Sequence, residues 1–230
     1  MELTKLLTLM GQGSLETLYM VIVSTCFSYL VGITIGIVLY ITDKNGICKF
    51  QPVNTILGVL VNMLRSVPFI ILLVAILPVT RLVVGTTIGS SATIVPLIVA
   101  ATPFVARMVE SSLKEVDAGV IEAAQAMGSS PFQIIWKVLL PEARPSLIIG
   151  CTIAITTILG YSAMAGFVGG GGLGAIAINY GYYRYQTDIM LITVILLVII
   201  VQVFQEVGMR IVQKTDKRIK QHKNKGRNEL

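Results

Sequence analysis

The sequence predicts an all-α integral membrane protein with five transmembrane helices. Hydrophobic residues make up 54% of the 230 residues and charged residues only 13%, whereas soluble domains carry about 25% charged residues. The uncharged residues also fall into five long stretches, and one transmembrane helix needs roughly 20 such residues. Basic residues are concentrated in alternate connections between these stretches, as expected for a chain that crosses a membrane repeatedly.

The predicted spans are runs without Asp, Glu, Lys or Arg, apart from Arg65 inside the second. They cover residues 17–42, 50–80, 82–106, 145–168 and 189–205. The fourth uncharged run continues to residue 183, but it contains five glycines between residues 169 and 174. Because glycine destabilises a helix interior, one span is expected there, ending near Val168. The first span is too long to be read as a cleavable signal peptide.

The basic residues predict the orientation of the chain. Fourteen of the 18 fall on one side of the predicted membrane, eight of them after residue 209. The cytoplasmic side normally carries this excess, so the N-terminus is expected outside and the tail, residues 213–230, in the cytoplasm. The first 209 residues contain ten basic and ten acidic residues. Since the net positive charge arises in the last 21 residues, nucleic acid is not expected as a partner.

Catalytic chemistry is not predicted for this chain. The only histidine, His222, lies in the basic tail, and the three cysteines show neither metal-ligand spacing nor a disulfide pattern. No GxxxxGK[ST] loop is present, so ATP hydrolysis would require another subunit. Gly169, Gly171 and Gly174 have the spacing of the GxGxxG dinucleotide-binding motif, but they follow a membrane span rather than a β-strand, so this function is not predicted. We interpret these glycines as a flexible external turn or as backbone that lines a gate.

The connection between spans three and four is predicted to contain a helix, a tight turn and a second helix. In its first half apolar residues recur at helical spacing, at Leu113, Val116, Val120, Ala124 and Met127. Gly128 is predicted to end this helix in the left-handed conformation, and Ser130 and Pro131 to begin the next one. The second helix is expected to direct four side chains towards the membrane and to end at Pro141 and Pro145. These side chains are Phe132, Ile135, Trp136 and Leu139.

This connection resembles the EAA motif of ABC importer permeases, which reads EAA, three residues, G, nine residues, I, any residue, L and P. The matching residues are Glu122, Ala123, Ala124, Gly128, Leu140 and Pro141, with Pro131 inside the motif and Val138 in place of isoleucine. The resemblance implies a type I ABC importer permease fold, in which residues 112–141, here called the coupling segment, dock onto an ATP-binding subunit. The two alanines would permit close backbone approach, and Glu122 would offer a charge-assisted contact.

Further stretches resemble the methionine branch of these permeases: residues 65–69, 164–166, 168–174 and 180–185. The resemblance implies a homodimer of five-helix subunits in the lipid of the bacterial inner membrane, with residues 1–212 as the transmembrane permease domain. It also implies two copies of a cytoplasmic ATPase, which hold ATP and magnesium, and an extracytoplasmic protein that delivers L- or D-methionine. The chain itself would then be a transporter subunit that binds no cofactor, and not an enzyme.

Arg65 is predicted to support the translocation pathway. A charge inside a span costs at least about 2.5 kcal/mol unless it is partnered, so Arg65 should face protein or water. We expect Asn62, Arg65 and Phe69 to share one helix face, with Pro68 bending the helix and Glu110 as a partner for the guanidinium. The alternative is an arginine that extends along the helix to the cytoplasmic interface.

Near the outer end of span four, Tyr161, Ser162 and Met164 are predicted to line the pathway or its gate. Helix packing is the alternative, because small and hydroxylated residues also allow helices to approach closely. The four tyrosines between residues 180 and 185 are interpreted as an interfacial aromatic belt, with docking of a binding protein as the alternative.

Two other functions compete with methionine import. One is a permease for a different small solute, such as another amino acid or a phosphonate. The other is a membrane assembly factor whose cytoplasmic helix recruits a partner. A secondary transporter is disfavoured, because the chain has neither matching halves nor the intramembrane acids that couple ion flow.

Overall fold

The computed structural model describes residues 3–215, and all regular secondary structure in that range is helical. The α-helices are α1 (Leu3–Thr42), α2 (Gln51–Ser66), α3 (Phe69–Val84), α4 (Ser90–Lys114), α5 (Ala118–Ala126), α6 (Pro131–Ile134), α7 (Leu140–Glu142), α8 (Arg144–Ala165), α9 (Gly172–Ile176) and α10 (Thr187–Thr215). Four of them, α1, α4, α8 and α10, are long and apolar enough to cross a membrane. The apolar run of α8 continues to Val168, which confirms the predicted end of that span.

The predicted second span consists of two helices rather than one. α2 and α3 are bent by 108° at the break between them. Val67 is extended, as a residue before proline normally is, and Pro68 has no N–H to continue the helical hydrogen bonds. The bend predicted at Pro68 is therefore confirmed, but the expectation that Phe69 shares a helix face with Arg65 is wrong. Counting the bent pair as one span gives the five predicted spans.

The first helix begins at Leu3, well before the predicted span, and its 40 residues correspond to about 60 Å of helix. Its inner face packs along α4, where glycines remove the side chains that would separate the two helices. A Cβ atom on Gly36 would lie 2.7 Å from the carbonyl oxygen of Ala106 and 2.7 Å from Cβ of Val109. The backbones of α1 and α4 are therefore in direct contact at this level.

The buried apolar residues form three clusters, and α4 contributes to two of them. One lies among α1, α3, α4 and α8, and includes Leu97 and Ile158. A second continues from α4 through the coupling segment into α8. The third joins the start of α1 to α9 and α10 through Met10, Leu173 and Ile189. Since α4 is common to the first two clusters, a movement of the coupling segment reaches the centre of the bundle through this helix.

After α8 the chain folds back instead of leaving the bundle. A 3-10 turn (Gly166–Val168) and α9 are followed by a π-helical turn (Ala177–Tyr182) that leads to α10. α10 extends to Thr215, ten residues beyond the predicted end of span five. Residues 213–215 of the predicted tail belong to this helix, whereas the rest of the tail, with His222, lies outside the described residues.

Candidate coupling and translocation sites

The first helix of the coupling segment, α5, is fixed at both ends by local hydrogen bonds. Asp117 is its N-cap, and the carboxylate accepts from the N–H of Gly119 at 2.7 Å. This cap separates α5 from α4, so the helical pattern predicted from Leu113 onwards is interrupted at residues 115–117. At the other end Gly128 has φ +78°, and the next N–H, of Ser129, donates to the carbonyl of Ala124 at 3.1 Å. The left-handed termination predicted at Gly128 is thus confirmed.

The second helix starts where predicted and then widens. Ser130 and Gln133 form a reciprocal capping box, and Pro131 occupies the first turn. Residues Ile135–Leu139 form a π-helical turn, in which the N–H of Leu140 donates to Ile135. Pro141 explains this turn, because its ring would clash with the carbonyl four residues earlier and it offers no N–H of its own.

The coupling segment packs on a buried core shared with two long helices. Val109 and Leu113 of α4, Ile134 and Leu139 of the coupling segment, and Ala154 of α8 are all at most 1% exposed. Such close packing transmits displacement, because well-packed interiors are not continuously deformable. The segment is therefore a rigid elbow between α4 and α8.

Most of the predicted coupling residues lie on the outer surface of this elbow. Glu122, Ala123, Gly128, Pro131 and Pro141 are exposed, and Leu140 is half-buried. Ala124 differs, because it is 3% exposed and packs into the core of this chain. The close approach predicted for Ala124 is thus made within the chain and not on its outer surface.

Large apolar side chains lie on the same surface. Met127 is 79% exposed, and Phe132 and Trp136 are exposed with ring centroids 6.0 Å apart. Of the side chains predicted to point towards the membrane, Phe132 and Trp136 are thus exposed, whereas Leu139 is buried within the chain. Exposed aromatic residues and methionine are enriched in protein–protein interfaces.

The predicted pathway residues of α2 lie just before the bend. Asn62 and Arg65 are both exposed on the surface of the single chain. Glu110 does not pair with Arg65, because its two carboxylate oxygens bind Arg107 and Lys114 instead. The predicted partnership of Arg65 and Glu110 is therefore wrong. Both residues of α2 are free to face a cavity or a neighbouring subunit.

The predicted pathway residues of α8 have three different environments. Tyr161 stacks on Phe69 across the bundle, with ring centroids 4.5 Å apart and planes inclined by 6°. Ser162 is 1% exposed, and its hydroxyl donates to the carbonyl of Leu159. Met164 is 48% exposed. Phe69, the first residue of α3, thus connects the bend in the second span to the outer part of α8.

The glycine-rich stretch after α8 is held tightly between α1 and α4. Glu16 and Thr17 of α1 accept from the first two N–H groups of α9, of Gly172 and Leu173, at 2.6 and 2.9 Å. On the other side the hydroxyl of Thr93 donates to Gly170 at 2.9 Å. The prediction of a flexible external turn is therefore wrong, and glycine is needed here for close approach and for positive φ angles.

The aromatic residues after α9 form an exposed surface. Tyr182, Tyr183 and Tyr185 are exposed, and the guanidinium carbon of Arg184 lies 4.4 Å from the ring centroid of Tyr180. Aromatic residues with a basic neighbour fit both the interfacial belt and the docking surface that the sequence leaves open.

Sequence reasoning missed the contacts made by Glu16, Thr17 and Phe69. The position of Glu16 does indicate a polar contact, since an acidic residue directly before an apolar span requires a partner or water. Its partner is the N–H of Gly172, 156 residues further along the chain, and no local pattern reveals this contact. Within residues 3–215, no group of three or more His, Cys, Asp or Glu side chains is arranged to hold a metal ion.

Apolar spans joined to a packed, capped elbow are typical of the membrane subunit of a transporter that is driven by a separate subunit. The chain belongs to the family described as the binding-protein-dependent transport system inner membrane component, which matches residues 32–221. It is therefore a transporter subunit and not an enzyme.

Individual relatives agree with this family. A probable D-methionine transport system permease protein of Vibrio cholerae is 52% identical over 203 residues, which cover 88% of this chain and 90% of that protein. A solved structure of the MetNI methionine ABC transporter, in an inward-facing conformation, is 46% identical with a TM-score of 0.92. It covers 94% of this chain and 100% of the other. The predicted resemblance to the methionine branch of ABC importer permeases is confirmed.

A more distant structure shows the fold alone. A chain of an amino acid ABC transporter is 18% identical with a TM-score of 0.76, covering 92% of this chain and 96% of the other. The helical architecture is thus shared by chains that have diverged widely in sequence, which is expected when the same membrane and elbow constraints act on each of them.

Proposed function

We propose that this chain forms the translocation pathway of an ATP-driven methionine importer, as a homodimer that binds two copies of a cytoplasmic ATPase. The observation that carries the proposal is the coupling segment, whose inner face shares one core with α4 and α8. Its outer face exposes Glu122, Met127 and Trp136. The names of the relatives support methionine as the solute.

The rigid elbow accounts for the coupling of ATP hydrolysis to transport. ATP and magnesium, held by the partner subunits, would draw these subunits together, and the two coupling segments would follow. Because each segment is packed against α4 and α8, these helices would tilt and open the cavity on the other side of the membrane. The differential affinity for the two states lies in the ATPase, and this chain transmits it.

The charge distribution supports an N-terminus outside the cell and a cytoplasmic C-terminus, in a bacterial inner membrane. Lys44, Lys114 and Lys137 lie in connections at the predicted cytoplasmic side, and the basic tail joins them. At the opposite side the tyrosines after α9 would meet the lipid interface or the extracytoplasmic binding protein.

The pathway is proposed to run along the dimer axis past the bend at Pro68 and the outer part of α8. Met164, Asn62 and Arg65 are exposed in the single chain and can face this axis. Tyr161, which stacks on Phe69, would lie at the edge of this pathway. Ser162, whose hydroxyl is satisfied inside α8, would support the wall and not contact the solute.

The proposal is tested by reconstituting the chain in liposomes with its ATPase and binding protein. Uptake of labelled methionine that depends on ATP and is competed by unlabelled L- or D-methionine is expected. Glu122→Ala should lower both ATPase binding and uptake, because it removes a charge from the docking face. Glu206→Ala is the matched control, since this exposed carboxylate pairs with Arg210 of the same helix and lies outside the coupling segment.

Two results would contradict the proposal, and a third would exclude the role of Glu122. ATP-dependent uptake that another amino acid or a phosphonate competes, and methionine does not, would assign a different solute. Stable binding of the ATPase without uptake of any tested solute would favour the assembly factor. An ATPase that binds equally well to the wild type and to Glu122→Ala would exclude Glu122 from the docking face.

A further inference from the structure

Four charged residues at the cytoplasmic end of the bundle form one connected ionic cluster: Asp43, Arg107, Glu110 and Lys114. Glu110 lies at its centre, because one carboxylate oxygen binds Arg107 and the other binds Lys114 at 2.8 Å. Both cations lie on α4, at three and four residues from Glu110, so the helix itself presents them on one face.

Each of the two cations also contacts a second part of the chain. The second guanidinium nitrogen of Arg107 donates to the carbonyl of Gly58, in the middle of α2, at 3.1 Å. Lys114 contacts Asp43, directly after α1, at 3.0 Å. The hydrogen bond from Lys114, together with that from the N–H of Lys44, holds the pKa of Asp43 below its usual range, so this carboxyl is ionised at neutral pH.

The burial of the central carboxylate distinguishes this cluster from ordinary surface ion pairs. The side chain of Glu110 is 8% exposed, compared with 48% for Lys114 and 32% for Asp43. Exposed pairs contribute little to stability, whereas removing one partner of a buried pair leaves an uncompensated charge. Glu110 is therefore the residue on which the geometry of Arg107 and Lys114 depends.

The cluster lies on the same turns of α4 that carry the core of the coupling segment. Val109, directly before Glu110, and Leu113, three residues after it, are at most 1% exposed and belong to that core. These turns of α4 thus contact the elbow, α1 and α2. A force applied to the elbow would therefore act both on the core of the coupling segment and on the ionic cluster, because the two lie within two helical turns of α4.

We propose that Glu110 is a positioning residue for transport, which holds Arg107 and Lys114 so that α1, α2 and α4 follow the coupling segment as one body. This inference rests on the proposed function. Without Glu110 the elbow would still dock and ATP would still be hydrolysed, but the movement would be shared less completely with α2, which leads to the bend at Pro68. Transport per ATP would fall.

Two variants separate this role from general stability. Glu110→Gln keeps the shape of the side chain and removes the charge that both cations share. Arg107→Lys keeps the charge beside Glu110, but a single ammonium cannot reproduce the forked contact with Glu110 and the Gly58 carbonyl. Glu206→Gln is the matched control, because its pair with Arg210 has the same spacing on α10 but is exposed on both sides.

The first measurement is the number of solute molecules transported per ATP hydrolysed, at equal amounts of folded complex. Both test variants should lower this ratio by at least about fivefold, the lower end of ordinary coupling between sites. Glu206→Gln should leave it unchanged. A purely structural role would lower the yield of folded complex and leave the ratio as in the wild type.

The second measurement does not depend on the identity of the solute. Spin labels are attached at Asn45, after α1, and at Lys137, on the coupling segment, in a protein that otherwise contains no cysteine. The distance between the two labels is measured in the complex with the ATPase. The wild type should give one narrow distance distribution that nucleotide does not broaden, and both test variants a broader one. If both variants keep the narrow distribution, the inference is wrong. Failure of the wild type to take up methionine would instead refute only the proposed solute.

Discussion

Replacing Gly36 with alanine should destabilise the protein, although alanine is the better helix former. Gly36 lies on the face of α1 that contacts α4, and the added Cβ would stand 2.7 Å from the carbonyl oxygen of Ala106. Ordinary van der Waals contacts begin at 3.4 Å, so the two helices must separate by about 0.7 Å at this level. The carbonyl belongs to the backbone of α4 and cannot rotate away.

The expected magnitude follows from two opposing effects. Overpacking of a well-packed interior costs about 1–3 kcal/mol, and a clash with rigid backbone belongs at the upper end. The higher helix propensity of alanine stabilises the folded protein by about 1 kcal/mol. The net loss is therefore about 2 kcal/mol, or a fall in melting temperature of roughly 4–8 °C for a chain of this size.

Thermal unfolding of the purified chain in detergent, followed by circular dichroism, measures this loss. Gly11→Ala is the control on the same helix, because a Cβ at Gly11 meets no atom within 4 Å. It should melt at the wild-type temperature or up to about 4 °C higher, since only the propensity term acts. If Gly36→Ala melts as high as Gly11→Ala, the close contact of α1 and α4 is refuted.

Three further experiments test other contacts. Thr17→Val should destabilise the chain by about 1–3 kcal/mol in the same melting assay, because it leaves a buried N–H of α9 without its acceptor; the exposed Thr8→Val should change little. Gly128→Ala should weaken ATPase binding through about 1–2 kcal/mol of left-handed strain, and Gly128→Asn should weaken it less, so equal affinities would argue against a backbone effect. A double-mutant cycle of Phe69→Leu and Tyr161→Leu should give a coupling of about 0.5–1.5 kcal/mol, and additive losses would exclude the stacking.

The coupling segment could be predicted closely because its signals are local. Gly128, Ser130 and Pro131 act on backbone groups within a few residues, so their spacing alone determines where one helix ends and the next begins. The direction of the side chains was less predictable. Phe132, Trp136 and Leu139 are all large apolar residues at helical spacing, and only the packing against α4 and α8 decides that Leu139 is buried while the other two are exposed.

The remaining errors concern contacts between distant parts of the chain. Proline at position 68 predicts a bend, but the 108° angle depends on how Phe69 packs against α8. The glycine-rich stretch after α8 has the composition of a flexible turn, and its sequence does not show that Glu16 and Thr93 lie on either side of it. Arg65 and Glu110 were paired by charge, whereas helical spacing places Arg107 and Lys114 nearer.

Trp136 is the only tryptophan among the 230 residues, and it lies in the π-helical turn of the coupling segment with 58% of its surface exposed. The ultraviolet emission of the chain, excited at the red edge of tyrosine absorption, therefore arises from this one indole. Its spectrum should shift to shorter wavelengths when a partner covers the ring and excludes water. The chain thus carries an intrinsic optical probe at the surface where docking is proposed, and a titration can be followed without attaching any label.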